Sequence, residues 1–167
     1  MADARGERTR LLPAPGDASY RGSGIAWGVL AALGVMDLVR GGIHLFAPDG
    51  GAGRIAGIDL TRGGDVIVML FAVMGISQIS WGVLNLLVAL RYRTLVPLLL
   101  ALQTLQQALA IWVLWLYKPL SVPAPGKYGV LVSFPILALA LWLSLRPRVG
   151  AAASESLQRN DPARLAR

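Results

Sequence analysis

The stretch IAWGVLAALGVMDLVRGGIHLF, residues 25–46, decides the fold class of this chain. Only Asp37, Arg40 and His44 carry ionisable side chains within its 22 residues. An α-helix needs about 20 residues to cross the roughly 30 Å hydrocarbon core of a bilayer. We therefore predict a transmembrane helix over residues 25–46.

Three further apolar stretches, 66–90, 95–117 and 128–145, are also long enough to cross a bilayer. A backbone surrounded by lipid must satisfy its hydrogen bonds internally, so each stretch is predicted to be helical. Only 15% of the chain is charged, against about 25% in soluble domains, which argues against an ordinary water-soluble enzyme. The sequence thus predicts an all-α membrane protein with a four-helix transmembrane bundle over 25–145.

Polar segments flank and connect the predicted spans. Residues 1–24 and 146–167 are predicted to be disordered tails, because they are rich in charged and small residues and lack apolar periodicity. The connection between the first two spans contains RIAGIDL, residues 54–60, which we predict to be a short amphipathic segment on the outer surface.

The basic residues predict the orientation. With four spans, both tails and the turn at 91–94 lie on one side of the membrane. Eleven basic residues fall on that side and four on the other, and basic residues accumulate in cytoplasmic segments, so both termini are predicted to be cytoplasmic. The eleven are Arg5, Arg8, Arg10, Arg21, Arg91, Arg93, Arg146, Arg148, Arg159, Arg164 and Arg167; the four are Arg54, Arg62, Lys118 and Lys127; Arg40 lies within a span.

The net charge of +7 then reflects topology and attraction to anionic lipid, and nucleic acid is not a predicted partner. Only two of the sixteen basic residues are lysines, a usage that we associate with bacteria of GC-rich genome. The predicted location is therefore the bacterial inner membrane, with the lipid bilayer as the first partner.

Polar side chains recur inside the spans at helical spacing. In the first span, Asp37, Arg40 and His44 fall within roughly 60° of one another around the helix axis. At about 1.5 Å per residue, Asp37, Gln78 and Gln106 all lie close to the predicted midplane. We therefore predict a buried polar layer. The candidate ligand-binding residues are Asp37, Arg40, His44, Gln78, Trp81, Asn85, Gln103, Gln106 and Gln107.

Two interpretations of this layer remain open. Charged residues within a bilayer normally face the interior and find partners, which is typical of a ligand or proton site. Alternatively, Asp37 and Arg40 pair with each other at a spacing of three, and the amides act as structural contacts between helices.

The sequence contains few residues that could carry catalytic or metal chemistry. The absence of cysteine excludes disulfide exchange, iron–sulfur clusters and zinc–thiolate sites. His44 is the only histidine, so haem would need a methionine as second protein ligand, and we do not expect haem. We expect His44 to form a hydrogen bond to Asp49 or to a carbonyl group. We predict no catalytic residue, no metal site and no cofactor, with quinone left open.

Small residues mark a further contact surface. Gly24, Gly28 and Ala32 form a ridge at a spacing of four on the first span, about 140° around the helix from Asp37 at its nearest member. Such a ridge favours close helix packing. The ridge is predicted to be either an internal contact or the seam of a homodimer.

The layout resembles that of the DoxX-like small bacterial membrane proteins. The resemblance rests on four spans in a chain of this size, on the polar cluster RGGIH at residues 40–44, and on the glycine-rich outer loop. It implies an inner-membrane protein, in some relatives associated with quinone-linked oxidoreductases, and no functional residue is carried over from it.

Three functions follow as hypotheses. The first is a non-enzymatic binding or accessory protein whose polar layer holds a small polar group or head group. The second is a membrane subunit of a quinone-linked redox system, in which Arg40, His44 and Gln78 bond the quinone and Trp81 packs on its ring. The third is a small proton or ion pathway that runs from outside to inside through His44, Arg40, Asp37 and, on the second span, Asn85.

Overall fold

The computed structural model describes residue 20 and residues 22–146, and every regular element within them is helical. Four helical segments are long and apolar enough to cross a membrane, which confirms the predicted fold class. Nearly all of both predicted tails lies outside the described residues. The elements are α1 (Gly24–Phe46), α2 (Gly64–Arg91), a 3-10 turn (Arg93–Leu95), α3 (Val96–Ile111), a π-helical segment (Trp112–Tyr117) and α4 (Pro125–Leu145).

Local chemistry accounts for where the helices begin. The Ser23 hydroxyl caps α1 by accepting a hydrogen bond of 3.2 Å from the backbone N–H of Ile25. Helix α4 starts three residues before the predicted boundary, at Pro125, directly after the extended Ala124. Proline suits a first helical turn, because its missing N–H would have no partner there.

The third span differs most from its prediction as one regular helix. Its α-helical part ends at Ile111, and residues Trp112–Tyr117 continue as a π-helix. The rings of Trp112 and Tyr117 stack with their centroids 4.9 Å apart and their planes 9° apart. The wider π turn brings side chains five residues apart into register, so the stacking and the π geometry support each other.

Helices α1 and α2 pack against each other through a seam of four glycines, Gly34 and Gly41 on α1 and Gly75 and Gly82 on α2. A Cβ atom added to Gly41 would lie 2.7 Å from the Gly75 carbonyl oxygen, and one added to Gly82 would lie 2.8 Å from the Gly34 carbonyl oxygen. The glycines recur every seven residues on both helices, so one face of each helix meets the other in antiparallel register.

Of the predicted ridge of Gly24, Gly28 and Ala32, the last two residues do not belong to the seam between α1 and α2. Ala32 is exposed, and a Cβ atom on Gly28 would meet nothing within 4 Å. Gly28 lies about 120° around the helix from Gly34, so the rotation that brings the glycine seam against α2 turns the ridge outward.

The hydrophobic core lies at one end of the bundle, near the first residue of α1 and the last residue of α4. We call this the termini end and the opposite end the loop end. Buried core residues come from all four helices: Ala26, Leu30, Val88, Ala89, Tyr92, Val96, Leu99, Leu100, Leu137 and Ala140. They join the α1–α2 hairpin to the α3–α4 hairpin.

Burial between the two hairpins stops towards the loop end. No residue is buried in 104–117 or in 125–136, all of which the structure describes. In 35–46 and 64–81 the buried residues are Gly41 and Gly75, which belong to the glycine seam. The hairpins therefore pack at the termini end and leave a cleft between them towards the loop end.

A compact loop covers the loop end of α1 and α2. Residues 48–56 form successive turns, and Gly50, Gly51 and Ala52 are buried. Gly50 and Gly51 have φ values of 59° and 78°, which favour glycine. A Cβ atom on Gly50 would also lie 3.0 Å from Cβ of Phe71, so the loop backbone lies directly against α2.

Candidate functional site

The clearest polar contact between two spans joins Asp37 on α1 to Asn85 on α2. The Asn85 Nδ2 group donates a hydrogen bond of 3.2 Å to Asp37 Oδ2. Each Cα–Cβ bond tilts towards the N-terminus of its own helix, so in an antiparallel pair the two side chains lean towards each other. Asn85 is completely buried, and Asp37 is half-buried. The partner of Asp37 is thus on the neighbouring helix.

Arg40 lies one turn further towards the loop end on the same side of α1 as Asp37. Within the described residues, however, no hydrogen bond or ion pair within 4 Å holds its guanidinium group, and Arg40 is exposed. An arginine facing hydrocarbon costs about 2.5–3.5 kcal/mol on insertion scales, so this side chain needs an anionic or aqueous partner.

Three buried side-chain atoms of the candidate set also lack a hydrogen-bond partner. They are Gln78 Oε1, Asn85 Oδ1 and Gln103 Nε2, and no other buried side-chain nitrogen or oxygen is unpartnered in the described part of the chain. Leaving such a group unsatisfied costs about 1–3 kcal/mol. Buried polar groups are nearly always paired, so these three atoms, which the protein covers without pairing, are exceptions.

Asn85 and Gln103 lie directly above the hydrophobic core. Val88 on α2 and Leu100 on α3 belong to the core cluster. Asn85 and Gln103 are each three residues from those positions towards the loop end, and about 60° around their helices. Asp37 is seven residues beyond the core residue Leu30, on nearly the same face. These polar side chains therefore lie at the level where the hydrophobic core ends.

The other two predicted glutamines line the same side of α3 further up the cleft. Gln103 is 7% exposed, whereas Gln107 is half-buried and Gln106 is exposed. Gln106 and Gln107 lie about 60° and 40° around the helix from Gln103, on either side of it. Of the three, Gln103 alone is buried.

His44 is engaged with the loop at the loop end of α1. Its Nδ1 lies 2.6 Å from the Gly50 carbonyl oxygen. A carbonyl oxygen can only accept, so Nδ1 donates, and in the neutral ring Nε2 is left as an acceptor. The ring also packs edge-on against Phe71 at a centroid distance of 5.1 Å. Of the two partners expected from the sequence, a carbonyl group rather than Asp49 binds His44.

The Asp49 carboxylate instead organises its own loop. Oδ1 accepts a hydrogen bond of 2.9 Å from the Gly51 N–H, and Oδ2 accepts one of 2.8 Å from the Arg54 N–H. The bond from Arg54 and then the bond from Gly51 lower the pKa of Asp49 below its ordinary value, because they favour the charged carboxylate. The ionised side chain thus maintains the turns that cover α1 and α2.

Trp81 lines an open groove on α2. The open groove has a volume of about 320 Å³ and is lined by Ile76, Ser77, Ser80, Trp81 and Leu84. The hydroxyl groups of Ser77 and Ser80 donate to the backbone carbonyl groups of Val73 and Ile76 on their own helix. The groove therefore offers a ligand few free polar groups.

The structure brings some candidate residues together and leaves others apart. Asp37 and Asn85 are hydrogen-bonded, while His44 is bound to the loop. No group of three or more His, Cys, Asp or Glu side chains able to hold a metal ion occurs among residue 20 and residues 22–146. The cleft therefore offers amide, carboxylate and guanidinium groups, which recognise polar ligands by hydrogen bonds and charge.

Comparisons of the chain with known protein families, with characterised proteins and with solved structures found no match. The resemblance to DoxX-like proteins accordingly stays a prediction from the sequence layout. Function has to be argued from the site itself.

Proposed function

We propose that the chain is a non-enzymatic membrane binding protein that holds a small polar molecule or head group in the cleft between its two helical hairpins. The observation that supports this proposal is the set of unpartnered buried atoms Gln78 Oε1, Asn85 Oδ1 and Gln103 Nε2. If these amides served only as contacts between helices, we would expect their oxygen and nitrogen atoms to form hydrogen bonds with one another.

The unpartnered atoms also restrict the chemistry of the occupant. Gln78 Oε1 and Asn85 Oδ1 accept hydrogen bonds, whereas Gln103 Nε2 donates. The occupant must therefore both donate and accept hydrogen bonds. Hydroxyl-bearing and amide-bearing groups, and ordered water associated with them, have this property.

Gentle purification followed by mass spectrometry tests the proposal. Wild-type protein in a mild detergent should retain a small molecule at a fixed ratio, and Gln103→Leu should lose it while keeping the helical circular dichroism spectrum. Thr104→Val is the matched control, because the neighbouring Thr104 hydroxyl donates to the Leu100 carbonyl oxygen of its own helix, at 2.7 Å. This control should retain the molecule.

Other results would contradict the proposal or favour its alternative. If wild-type protein carries no molecule beyond bulk lipid, and Gln103→Leu is simply more stable, the amide is an unsatisfied structural group and the proposal is wrong. A quinone as the retained molecule would favour the alternative of a quinone-linked redox subunit.

We also propose the membrane arrangement that the charge distribution supports. Both termini are placed on the cytoplasmic side of a bacterial inner membrane, because eleven basic residues lie on that side against four on the other. Residues 54–60 then lie at the outer surface. The outward-facing Gly28 and Ala32 are available for a homodimer seam. Protease protection of tags on either terminus, in right-side-out and inverted vesicles, tests the orientation.

A further inference from the structure

The groove on α2 faces away from α1. Ser77 lies about 160° around the helix from Gly75, which packs against α1. Both Ser77 and Ser80 are exposed, and they lie near the middle of α2. The surface that contains them therefore meets whatever surrounds the bundle at mid-depth in the membrane.

The groove has the outline of a hole for helix packing. Four of its lining residues follow the spacing i, i+3, i+4 and i+7: Ser77, Ser80, Trp81 and Leu84. When two helices pack with knobs into holes, four residues of one helix form the hole for a side chain of the other. Two of the four are small, and the groove has a volume of about 320 Å³, whereas about 150 Å³ suffices for benzene. A large aromatic side chain therefore fits.

The polar groups of the groove complement one another but do not meet within one chain. The hydroxyl groups of Ser77 and Ser80 donate to carbonyl groups of their own helix at 3.4 Å and 3.0 Å, so their lone pairs remain available as acceptors. The Trp81 indole N–H can only donate, and it has no hydrogen bond in the part of the chain that the structure describes. Tryptophan N–H groups usually find an acceptor when they are buried.

Symmetry indicates where such an acceptor comes from. Copies of the chain inserted in the same orientation are related by a two-fold axis along the membrane normal, so each residue lies at the same depth as its counterpart. A side chain that enters the groove from a second copy must then come from the level of residues 77–84 on the same face. Trp81 is the largest side chain at that level, and it borders the groove.

From these observations we infer that α2 packs against α2 of a second copy of this chain, with the Trp81 ring of each copy inserted into the groove of the other. The indole N–H then donates to the hydroxyl group of Ser77 or Ser80 across the contact. Each copy supplies both the knob and the hole, as a two-fold interface requires. This dimer contact is on a different helix from Gly28 and Ala32, and it does not depend on a ligand in the cleft.

A second copy accounts for more than a lipid chain does. An acyl chain would fill the space in the groove but would leave the Trp81 N–H without an acceptor. The second copy fills the space and also supplies the acceptor. Small and hydroxyl-bearing residues are typical of contacts between membrane helices for this reason.

Cysteine cross-linking in native membranes tests the inference on the full-length protein, because the chain has no cysteine of its own. On oxidation, Ser77→Cys should form a disulfide-linked dimer. Val83→Cys is the matched control, since Val83 is also exposed on α2 but lies about 120° around the helix from Ser77. The yield of dimer should be several-fold higher for Ser77→Cys. Ala32→Cys, on the outward ridge of α1, should resemble the control.

Sedimentation equilibrium in a mild detergent then measures the strength of the contact. Trp81→Phe keeps an aromatic ring without the N–H and should weaken dimerisation roughly threefold to thirtyfold, the range for one hydrogen bond between membrane helices. Ser80→Leu should abolish the dimer by filling the groove. Its helical circular dichroism spectrum should not change, because the Ser80 hydroxyl bonds only to its own helix. Val83→Leu is the control and should dimerise like the wild type.

Several results would overturn the inference. Equal cross-linking of Ser77→Cys and Val83→Cys would leave the groove to lipid. Efficient cross-linking of Ala32→Cys in place of Ser77→Cys would move the dimer contact to α1. Dimerisation of Ser80→Leu as strong as that of the wild type would show that the groove is not at the contact. None of these results affects the molecule retained in the Gln103→Leu experiment, so the two proposals fail separately.

Discussion

Substitution of Gly41 by alanine should destabilise the protein by separating α1 from α2. The added Cβ atom would lie 2.7 Å from the Gly75 carbonyl oxygen and 2.8 Å from Cγ1 of Ile79. Even close Cα–H···O contacts between helices are about 3.3–3.6 Å long, so the helices would have to part by roughly 0.6 Å or more. Overpacking of this kind costs about 1–3 kcal/mol.

Alanine also has a favourable effect that must be subtracted. It stabilises a helix interior by roughly 0.5–1 kcal/mol relative to glycine. The expected net loss for Gly41→Ala is therefore up to about 2.5 kcal/mol. Gly28→Ala is the control, because a Cβ atom there would meet nothing within 4 Å and only the favourable term remains.

Titration with sodium dodecyl sulfate from a mild detergent, followed by far-ultraviolet circular dichroism, gives the free energies of unfolding. A second substitution in the same seam, Gly34→Ala, should add less than its single effect, because the helices have already separated. If Gly41→Ala is as stable as Gly28→Ala, the close approach of the two helices is wrong. Full additivity of the two seam substitutions would show that they act locally and not through helix separation.

Further predictions concern the polar contacts. Asp37→Asn should keep a hydrogen bond to Asn85 and remain folded, whereas Asp37→Val should lose about 0.6–2 kcal/mol by leaving the Asn85 donor unpaired; unfolding titrations compare the two, and equal effects would contradict the bond. His44→Phe should leave the Gly50 carbonyl unpaired, so proteolysis within 47–57 should accelerate while the helical content is unchanged; unaltered cleavage would show that the bond does not hold the loop. Because backbone N–H groups lower the pKa of Asp49, its contribution to loop stability is present above the ordinary carboxyl pKa and is lost as the pH falls through the lowered value. Amide exchange in 47–57 should therefore stay slow at mildly acidic pH in the wild type and be fast throughout in Asp49→Ala.

The spans could be predicted because bilayer thickness imposes a length on any apolar helix. The four predicted stretches differ from the observed helical spans by at most three residues at either end. The positions of Asp37, Gln78 and Gln106 near the middle of their helices also follow from regular helix geometry. The sequence did not indicate the π-helical end of the third span. Trp112 and Tyr117 can be arranged in several ways on a helix, and their sequence spacing does not show that the rings stack.

Partners across helices could not be predicted from spacing. Asp37 and Arg40 are three residues apart, which suggests a pair on one helix, yet the hydrogen bond of Asp37 goes to Asn85, 48 residues away. That pairing depends on the register of α1 against α2. The glycine seam sets this register. The sequence of α1 contains two sets of small residues, the seam with Gly34 and Gly41 and the ridge with Gly28 and Ala32, and does not show which of them packs against α2.

Sequence alone determined that the chain forms four apolar helices with polar side chains at mid-depth, because hydrocarbon thickness and helical periodicity act on each span separately. Tertiary structure decided which faces meet. The contact of Gly41 with Gly75 turns Gly28 outward and brings Asn85 to Asp37. Complete burial between the hairpins stops above the core. These outcomes depend on close approach between segments far apart in the chain, which no periodicity within one helix specifies.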